Sequence, residues 1–413
     1  MTEATEVNPF YRTIKPTGNY DVRETEEDVL TLARARAREA FRQFDTIAVM
    51  FSGGKDSTCV LHVALETAEE VGRLPLKVCF YDEEAIPYQT EEYVREVAGW
   101  PGVDLEWWCL PVKHRNACSR RSPWWYPWAP EAEPLWVRPL PPEAITPEDA
   151  PWCDWSPGAR LDTVTATPLR FDPETFGSVG LMMGIRAQES LRRRRVLSRT
   201  SAENYVQGGF RNVRNVYPIY DWRTTDVWAA PRKFGWSYNR AYDAMDKAGM
   251  APHSQRCSPA FGEEPLERFW TYQCCFPEIW GKMTARVPGA AAAGRYARTE
   301  LWGYGGLPPK REGETWMEFV RRMVEKWDEP ERSVIAARIK QMIGQHYRKT
   351  SDPILSTAMH PFTGVSWTYL ARLAFRGDLK GRKTPNMGHG HDDRAWKKYR
   401  ELLAVEGRRG GQT

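Results

Sequence analysis

An α/β fold built on a doubly wound, mostly parallel sheet is predicted by three features of the sequence. Apolar, β-rich runs alternate with amphipathic helical stretches through the N-terminal half, which is the pattern of βαβ units. A glycine-rich hexapeptide follows the first of those runs directly, and a Gly/Arg-rich element follows a later one in the same way.

Thr25-Glu26-Glu27-Asp28 has the form of a helix start, with a Thr cap and an acidic first turn, and it leads into Val29, Leu30, Leu32, Ala33, Ala37, Ala40 and Phe41. A helix over 26–43 is expected. Thr46–Phe51 is a continuous apolar run that fits a strand buried on both faces, and the pattern returns to helix from Ser57 to Glu70. Leu76–Tyr81 and Asp104–Leu110 read as the next strands, with a helix around 91–97 between them. Further short strands are expected at Gly180–Gly184 and Asn215–Tyr220.

Between Ser122 and Arg160 the texture changes, with ten Pro and six Trp in 39 residues. Neither a regular helix nor a central strand tolerates that much proline. The segment is too aromatic for a disordered linker, so an ordered insertion packed on the sheet is expected, as a lid or substrate wall. After residue 230 the chain reads as mainly helical, with Trp316–Trp327 and Glu331–Tyr347 as amphipathic stretches. The expected division is a nucleotide-binding domain over 1–240, with its insertion at 122–160, followed by a helical region over 241–413.

The net charge is +4, and residues 372–413 alone carry 11 Lys/Arg against 5 Asp/Glu. A basic tail suits an anionic partner such as nucleic acid, and equally a solvated surface. Eight scattered Cys without a CxxC pair read as reduced thiols. With no apolar run of membrane length and no secretory pattern, a cytoplasmic protein with no membrane partner is expected.

Ser52-Gly53-Gly54-Lys55-Asp56-Ser57 lies between a buried strand and a helix, which makes an anion site. Glycines let backbone N–H groups approach phosphate oxygens, and the helix N-terminus adds its dipole. Lys55 supplies a point charge, the Ser52 and Ser57 hydroxyls are expected to complete the cradle, and Asp56 to cap the helix or face a metal. The spacing is not that of the Walker loop, which needs four residues between its glycines.

Gly184-Ile185-Arg186-Ala187-Gln188-Glu189-Ser190-Leu191-Arg192 follows the apolar run at 179–183, at the edge of the sheet where open α/β folds bind ligands. Arg186, with Arg192 to Arg195, is suited to bidentate contact with phosphate or sulfate. Pro218-Ile219-Tyr220-Asp221-Trp222 runs on to Asp226-Val227-Trp228, where Asp221 and Asp226 read as caps rather than catalysts.

In this order the three motifs resemble the phosphoadenosine phosphosulfate reductase family of the PP-loop, adenine nucleotide α-hydrolase-like superfamily, which shows SGGKDS, then GxRxxES and a later Arg, then P-[LI]-x-D-W-x-x-x-D-[VI]-W. The resemblance spans about residues 25–235 and is nearer to the larger reductase-domain proteins of bacteria and their phages. It implies adenine-nucleotide binding at Ser52–Ser57, Gly184 and Arg186. In that fold the position of Asp82 and Glu84 faces the adenosine, which implies contact with ribose hydroxyls or Mg²⁺.

The chain departs from the sulfonucleotide reductases, which resemble one another in a C-terminal Cys within an ECG-like tail; here the last Cys is Cys275. A metal site from His253, Cys257, Cys274 and Cys275 has enough donor atoms but fits no zinc spacing, so buried inert thiols are the preferred reading. His389 and His391 beside Asp392 and Asp393 read as a Gly-flanked loop, and His62 and His114 as non-catalytic. The expected activity is ATP- and Mg²⁺-dependent adenylation of an unknown acceptor, with release of pyrophosphate and with Lys55, Arg186 and Glu189 in the catalytic roles. Two alternatives stand beside it: a sulfonucleotide reductase-like or sulfur-transfer enzyme, and a nucleic-acid-binding component of a DNA modification or defence system that works with a partner protein.

Overall fold

The computed structural model describes residues 27–119, 121–188, 205–257, 260–262, 269–296, 307–377 and 393–410. These fall into two compact units, one ending at Tyr296 and the other beginning at Leu307.

The first unit is a six-stranded sheet with helices on it, in the order β3-β2-β1-β6-β8-β7. Its strands are β1 (Thr46–Phe51), β2 (Leu76–Tyr81), β3 (Val103–Trp108), β6 (Val179–Met183), β7 (Val206–Gln207) and β8 (Val213–Val216). All neighbours run parallel except β7, which closes the edge antiparallel to β8. Helices α1 (Val29–Gln43), α2 (Lys55–Glu70), α3 (Tyr88–Ala98), α4 (Thr224–Phe234), α5 (Ala241–Lys247) and α6 (Pro277–Arg286) belong to this unit. A doubly wound, mostly parallel sheet is therefore present.

Element boundaries follow local chemistry. α1 starts one turn later than the Thr cap suggests, because Asp28 itself accepts from the amides of Leu30 at 2.8 Å and Thr31 at 3.1 Å. β3 stops at Trp108, two residues early, since Cys109 turns its amide to Ile145 and Pro111 has no amide to give. β8 is displaced towards the N-terminus because Tyr217-Pro218-Ile219-Tyr220 folds into a turn, Tyr220 donating to Tyr217 O at 3.2 Å.

α1 buries Leu30, Ala33, Ala37, Ala40 and Phe41 at helical spacing against the sheet. Arg36 on the same helix is buried and forks onto Asp221, both contacts 2.9 Å, which clamps α1 to the turn before α4. Asp221 thus holds an ion pair instead of a cap, while Asp226 accepts from Arg223 N at 2.7 Å and closes the start of α4.

The insertion at 122–160 is ordered and has little regular structure beyond β5 (Trp124–Trp125), paired with β4 (His114–Arg115), and short 3₁₀ turns. Trp128 and Trp155 are buried, and their indole N–H groups donate to Asp82 O at 2.9 Å and Ala150 O at 2.7 Å. Those bonds let large rings enter the core without an unsatisfied polar atom.

The second unit is helical: α7 (Trp316–Glu325), α8 (Glu331–Tyr347), α9 (Trp367–Arg376) and α10 (Asp393–Gly410). Thr315 and Glu318 form a reciprocal capping box at the start of α7. Phe319, Met323, Ile335, Ile339, Leu370 and Leu373 form its core. No helix among the described residues is long and apolar enough to cross a membrane.

Candidate nucleotide site at the switch point of the sheet

β1 and β6 lie side by side at the centre of the sheet, and the chain goes from β1 to β2 on one flank and onward from β6 to β8 on the other. Where the winding reverses, the carboxyl ends of two adjacent strands leave a crevice. The Ser52–Ser57 loop leaves β1 at that point, and Gly184–Gln188 leaves β6.

Gly53 is left-handed at φ +67, and a Cβ there would meet Thr90 Cγ2 at 2.9 Å, so both backbone conformation and space require glycine. Its carbonyl accepts from Asn239 Nδ2 at 2.9 Å. Gly54, at φ −85, is ordinary extended backbone acting as the N-cap of α2, and a Cβ there would lie 3.2 Å from Ser52 Oγ and 3.4 Å from the Tyr242 hydroxyl. Ser52 and Ser57 fasten the turn to itself. The Ser57 hydroxyl donates to Gly54 O at 3.0 Å, accepts from Ser52 N at 3.1 Å, and lies 3.0 Å from Ser52 Oγ.

α2 begins at Lys55, so the amides of Asp56 and Ser57 lie in its first turn with no carbonyl behind them and carry the positive end of the helix dipole. The Lys55 amide donates to the Tyr242 hydroxyl at 2.9 Å. The Lys55 ammonium is 8% exposed and lies 3.2 Å from Gln255 O and 3.3 Å from Asp56 Oδ2. Arg186 is 2% exposed; its Nε donates to Asp56 Oδ1 and its Nη1 to Trp222 O at 3.2 Å. Two cations therefore converge on one carboxylate at the helix start.

Gly184 allows this approach, since a Cβ there would lie 2.7 Å from both Asp56 C and Ser57 N. The Gly184 backbone thus packs directly on the first turn of α2. Gln188 accepts from Thr224 N at 2.7 Å and so ties the β6 loop to α4. Glu189 and Arg192 to Arg195 lie outside the described residues.

Asp82 and Glu84 are placed differently from the ribose or Mg²⁺ contact that the resemblance implies. Both carboxylates are buried and saturated by protein donors. Asp82 accepts from Arg138 Nη2 at 2.6 Å on both oxygens, from Trp107 Nε1 at 2.9 Å, and from Glu84 N at 2.8 Å. Glu84 accepts from the amides of Trp128 at 2.8 Å and Val137 at 3.0 Å, and from Arg286 at 2.6 and 2.9 Å. The pair anchors the insertion and α6 to the end of β2, and neither carboxylate is presented to a ligand.

Residues of the site with no sequence signal come from 239–257. Asn239 holds the Gly53 carbonyl, Tyr242 meets the Lys55 amide, and Gln255 meets the Lys55 ammonium. Cys257 lies beside them, 3.5 Å from Asn239 Nδ2, and burial pushes its thiol up to about 11. All eight cysteines are free. Among the described residues no group of three His, Cys, Asp or Glu side chains is placed to hold a metal ion. Cys274 is exposed and Cys275 lies 3.6 Å from Ala244 O. The side chain of His253, and His389, His391 and Asp392, lie outside the described residues.

The loop lines a cleft of about 220 Å³ whose walls include Met50, Lys55, Asp56, Met183, Gly184 and Cys257. Tyr242 lines it too, and also forms part of a larger cavity of about 940 Å³ with Trp228, Tyr238 and Gln255. None of the described residues lining either space comes from 122–160, so the insertion is not a wall of these cavities.

Residues 249–359 match the model of a family described as a domain of unknown function (DUF3440). Solved structures are similar in part and distantly. Candida glabrata FMN adenylyltransferase aligns at 11% identity and a TM-score of 0.33, over 54% of this chain and 62% of that one, a little under two thirds of its length. Phosphoadenylyl-sulfate reductase from Candida auris aligns at 15% identity and 0.31, over 54% and 93%; the U34-tRNA thiolase NcsA from Methanococcus maripaludis aligns at 10% and 0.29, over 65% and 76%. The sequence relationship is much stronger to the uncharacterized protein YbdN of Escherichia coli (strain K12), at 31% identity over 331 residues, 75% of this chain and 79% of that protein. The chain belongs to the YbdN family.

Proposed function

We propose that the chain is an ATP-dependent adenylating enzyme whose Ser52–Ser57 loop receives the β- and γ-phosphates. One observation carries this reading: at the switch point, Lys55, Arg256 and the first turn of α2 line a cleft with a single carboxylate, Asp56, which Arg186 holds from behind. Fixed positive groups at a helix start stabilise charge on a departing pyrophosphate without needing a protein nucleophile. An acceptor oxygen forms a bond to the α-phosphorus, the α–β bridging bond breaks, its electron pair leaves with pyrophosphate, and the acceptor proton passes to water.

Lys55 and the amides of Asp56 and Ser57 hold the leaving group, while Arg186 orients the α-phosphate or the acceptor. Glu189 is assigned the positioning of the acceptor. The adjoining 940 Å³ cavity supports a sizeable acceptor, since about 300–1,000 Å³ is the usual span of small-molecule sites. Mg²⁺ binds through one or two carboxylates together with substrate phosphates and would neutralise them. Here Asp56 already faces two cations and Asp82 and Glu84 are saturated, so the described carboxylates do not fit a protein-held Mg²⁺ and no step depends on one. Free thiols throughout support a reducing, cytoplasmic setting.

Sulfur chemistry is the weaker reading because Cys257, the buried thiol beside the loop, is held in its protonated, poorly nucleophilic form. The test is calorimetric titration of the full chain with ATP, alongside a coupled pyrophosphate assay. Lys55→Ala is expected to weaken ATP binding at least a hundredfold in protein that circular dichroism shows to be folded, with some fall in thermal midpoint because the side chain is buried against Gln255 O and Asp56. Equal affinity in the two proteins would sink the phosphate assignment.

A further inference from the structure

We infer that the second unit carries a binding face for single-stranded nucleic acid, formed by the end of α8, the turn at 359–363 and α10. This inference does not rest on the nucleotide reading of the first unit. Single strands are held by aromatic rings on which bases stack, set among cations that follow the backbone.

Three large side chains are left outside the core here: Tyr347 is 51% exposed, Met359 48% and Phe362 45%. The rings belong to one connected cluster. Tyr347 packs edge-on against His346 at 4.8 Å, His346 against His360 at 5.1 Å, and His360 against Trp396 at 5.4 Å. Phe362 is fixed to the same cluster because its amide donates to His360 Nδ1 at 3.2 Å. The outermost rings therefore stand on a rigid floor of buried ones, which lowers the entropy lost when a base stacks on them.

Cations interleave with these rings. Lys349 Nζ lies 5.8 Å from the Phe362 ring and the Arg400 guanidinium 5.8 Å from that of Trp396. Arg348, just past the end of α8, and Lys397 and Lys398 on α10 are also exposed. Of the acidic side chains described on these elements, Asp352 is engaged by His360 Nε2 at 2.9 Å and Glu406 accepts from Ser356, leaving Glu401. The described residues of this unit carry 18 Lys/Arg against 11 Asp/Glu. Positive charge alone fits any polyanion; exposed rings among the cations favour unpaired bases over an acidic peptide or a duplex, whose bases are already stacked.

The experiment is fluorescence anisotropy of the full chain with labelled oligo-dT and oligo-U of twenty nucleotides, a duplex of the same length and polyglutamate, each at 50 and 200 mM salt. Both single strands are expected to bind more tightly than duplex or polyglutamate; the ratio between them reads the preference for DNA or RNA. Tyr347→Ala with Phe362→Ala should weaken single-strand binding at least tenfold, whereas Tyr347→Phe alone, which keeps the ring, should bind at near the native level. Lys397→Ala with Lys398→Ala should reduce the slope of log affinity against log salt by about 0.7 for each phosphate no longer neutralised. Because these side chains are exposed, circular dichroism should be unchanged. Wild-type affinity in the aromatic double variant, equal binding of duplex or polyglutamate, or no affinity for either strand at 50 mM salt would each overturn the proposal.

Discussion

The loops that follow β1 and β2 sit at the same edge of the same sheet and hold their charges in opposite ways. After β2, Asp82 and Glu84 meet Arg138 and Arg286 and a set of backbone amides, so that every carboxylate oxygen has a donor. After β1, Lys55 and Arg186 share Asp56 beside a cleft, and the first turn of α2 adds further positive character. Saturated charge builds architecture. Positive charge in excess of its carboxylate, next to open space, is what the proposed phosphate site draws on.

The contrast is broken most severely on the saturated side. Arg138→Met should cost about 3–5 kcal/mol, because it leaves the Asp82 carboxylate buried with its cation removed. Thermal denaturation should show a loss of roughly 10 °C in a unit of this size, with the ATP affinity of the surviving native protein little changed. A fall in affinity without loss of stability would show that the β2 side belongs to the site after all.

A middle-sized effect tests the open side. Arg186→Lys keeps the charge and removes the planar fork between Asp56 and the Trp222 carbonyl. Turnover should fall about tenfold, with ATP affinity changed less than threefold. Identical kinetics in the two proteins would remove Arg186 from the reaction.

Acid stability is a third test, made away from both loops' charged groups. Burial lowers His62 and His114 from 6.5 to about 4. Between those values the unfolded chain takes up protons that the folded one refuses, so stability is intact above pH 6.5 and falls as pH drops towards 4. Each histidine contributes up to about 1.4 kcal/mol per pH unit of that window. Denaturant midpoints measured from pH 7 to 4.5 should decline, and His62→Phe, which preserves the stack on Trp236, should flatten the decline.

The smallest effect is expected from the thiols. Replacing Cys257, Cys274 and Cys275 together with Ser should leave pyrophosphate release within about twofold of wild type, provided the protein folds. Its abolition in a folded variant would return sulfur transfer to the front.

What could be read from the sequence was whatever its neighbours along the chain dictate. β1 and β2 stand at their expected limits because a six-residue apolar run has few other uses, and α8 spans Glu331–Tyr347 as its periodicity requires. The proximity of Arg186 to the loop was likewise legible, since both elements follow apolar runs and so leave strands at the same edge of the sheet. Asp82 and Glu84 were legible as standing just past a strand end but not as buried and saturated, because Arg138 and Arg286 come from 56 and 202 residues away. Asn239 and Tyr242 left no trace for the same reason. Their bonds to the loop join positions 186 and 187 residues apart, and no local pattern encodes such a pairing.

The hydroxyl of Tyr242 gives the molecule an optical handle. It occupies the Lys55 amide, one of the groups that a bound phosphate would claim, and its ring meets Trp228 edge-on at 5.1 Å. A ligand that takes that amide must displace the hydroxyl and shift the aromatic pair, so occupancy of the loop is converted into a change in indole emission. Trp228→Phe should erase that signal while leaving calorimetric affinity intact, which would turn one tryptophan among 19 into a stopped-flow reporter of binding.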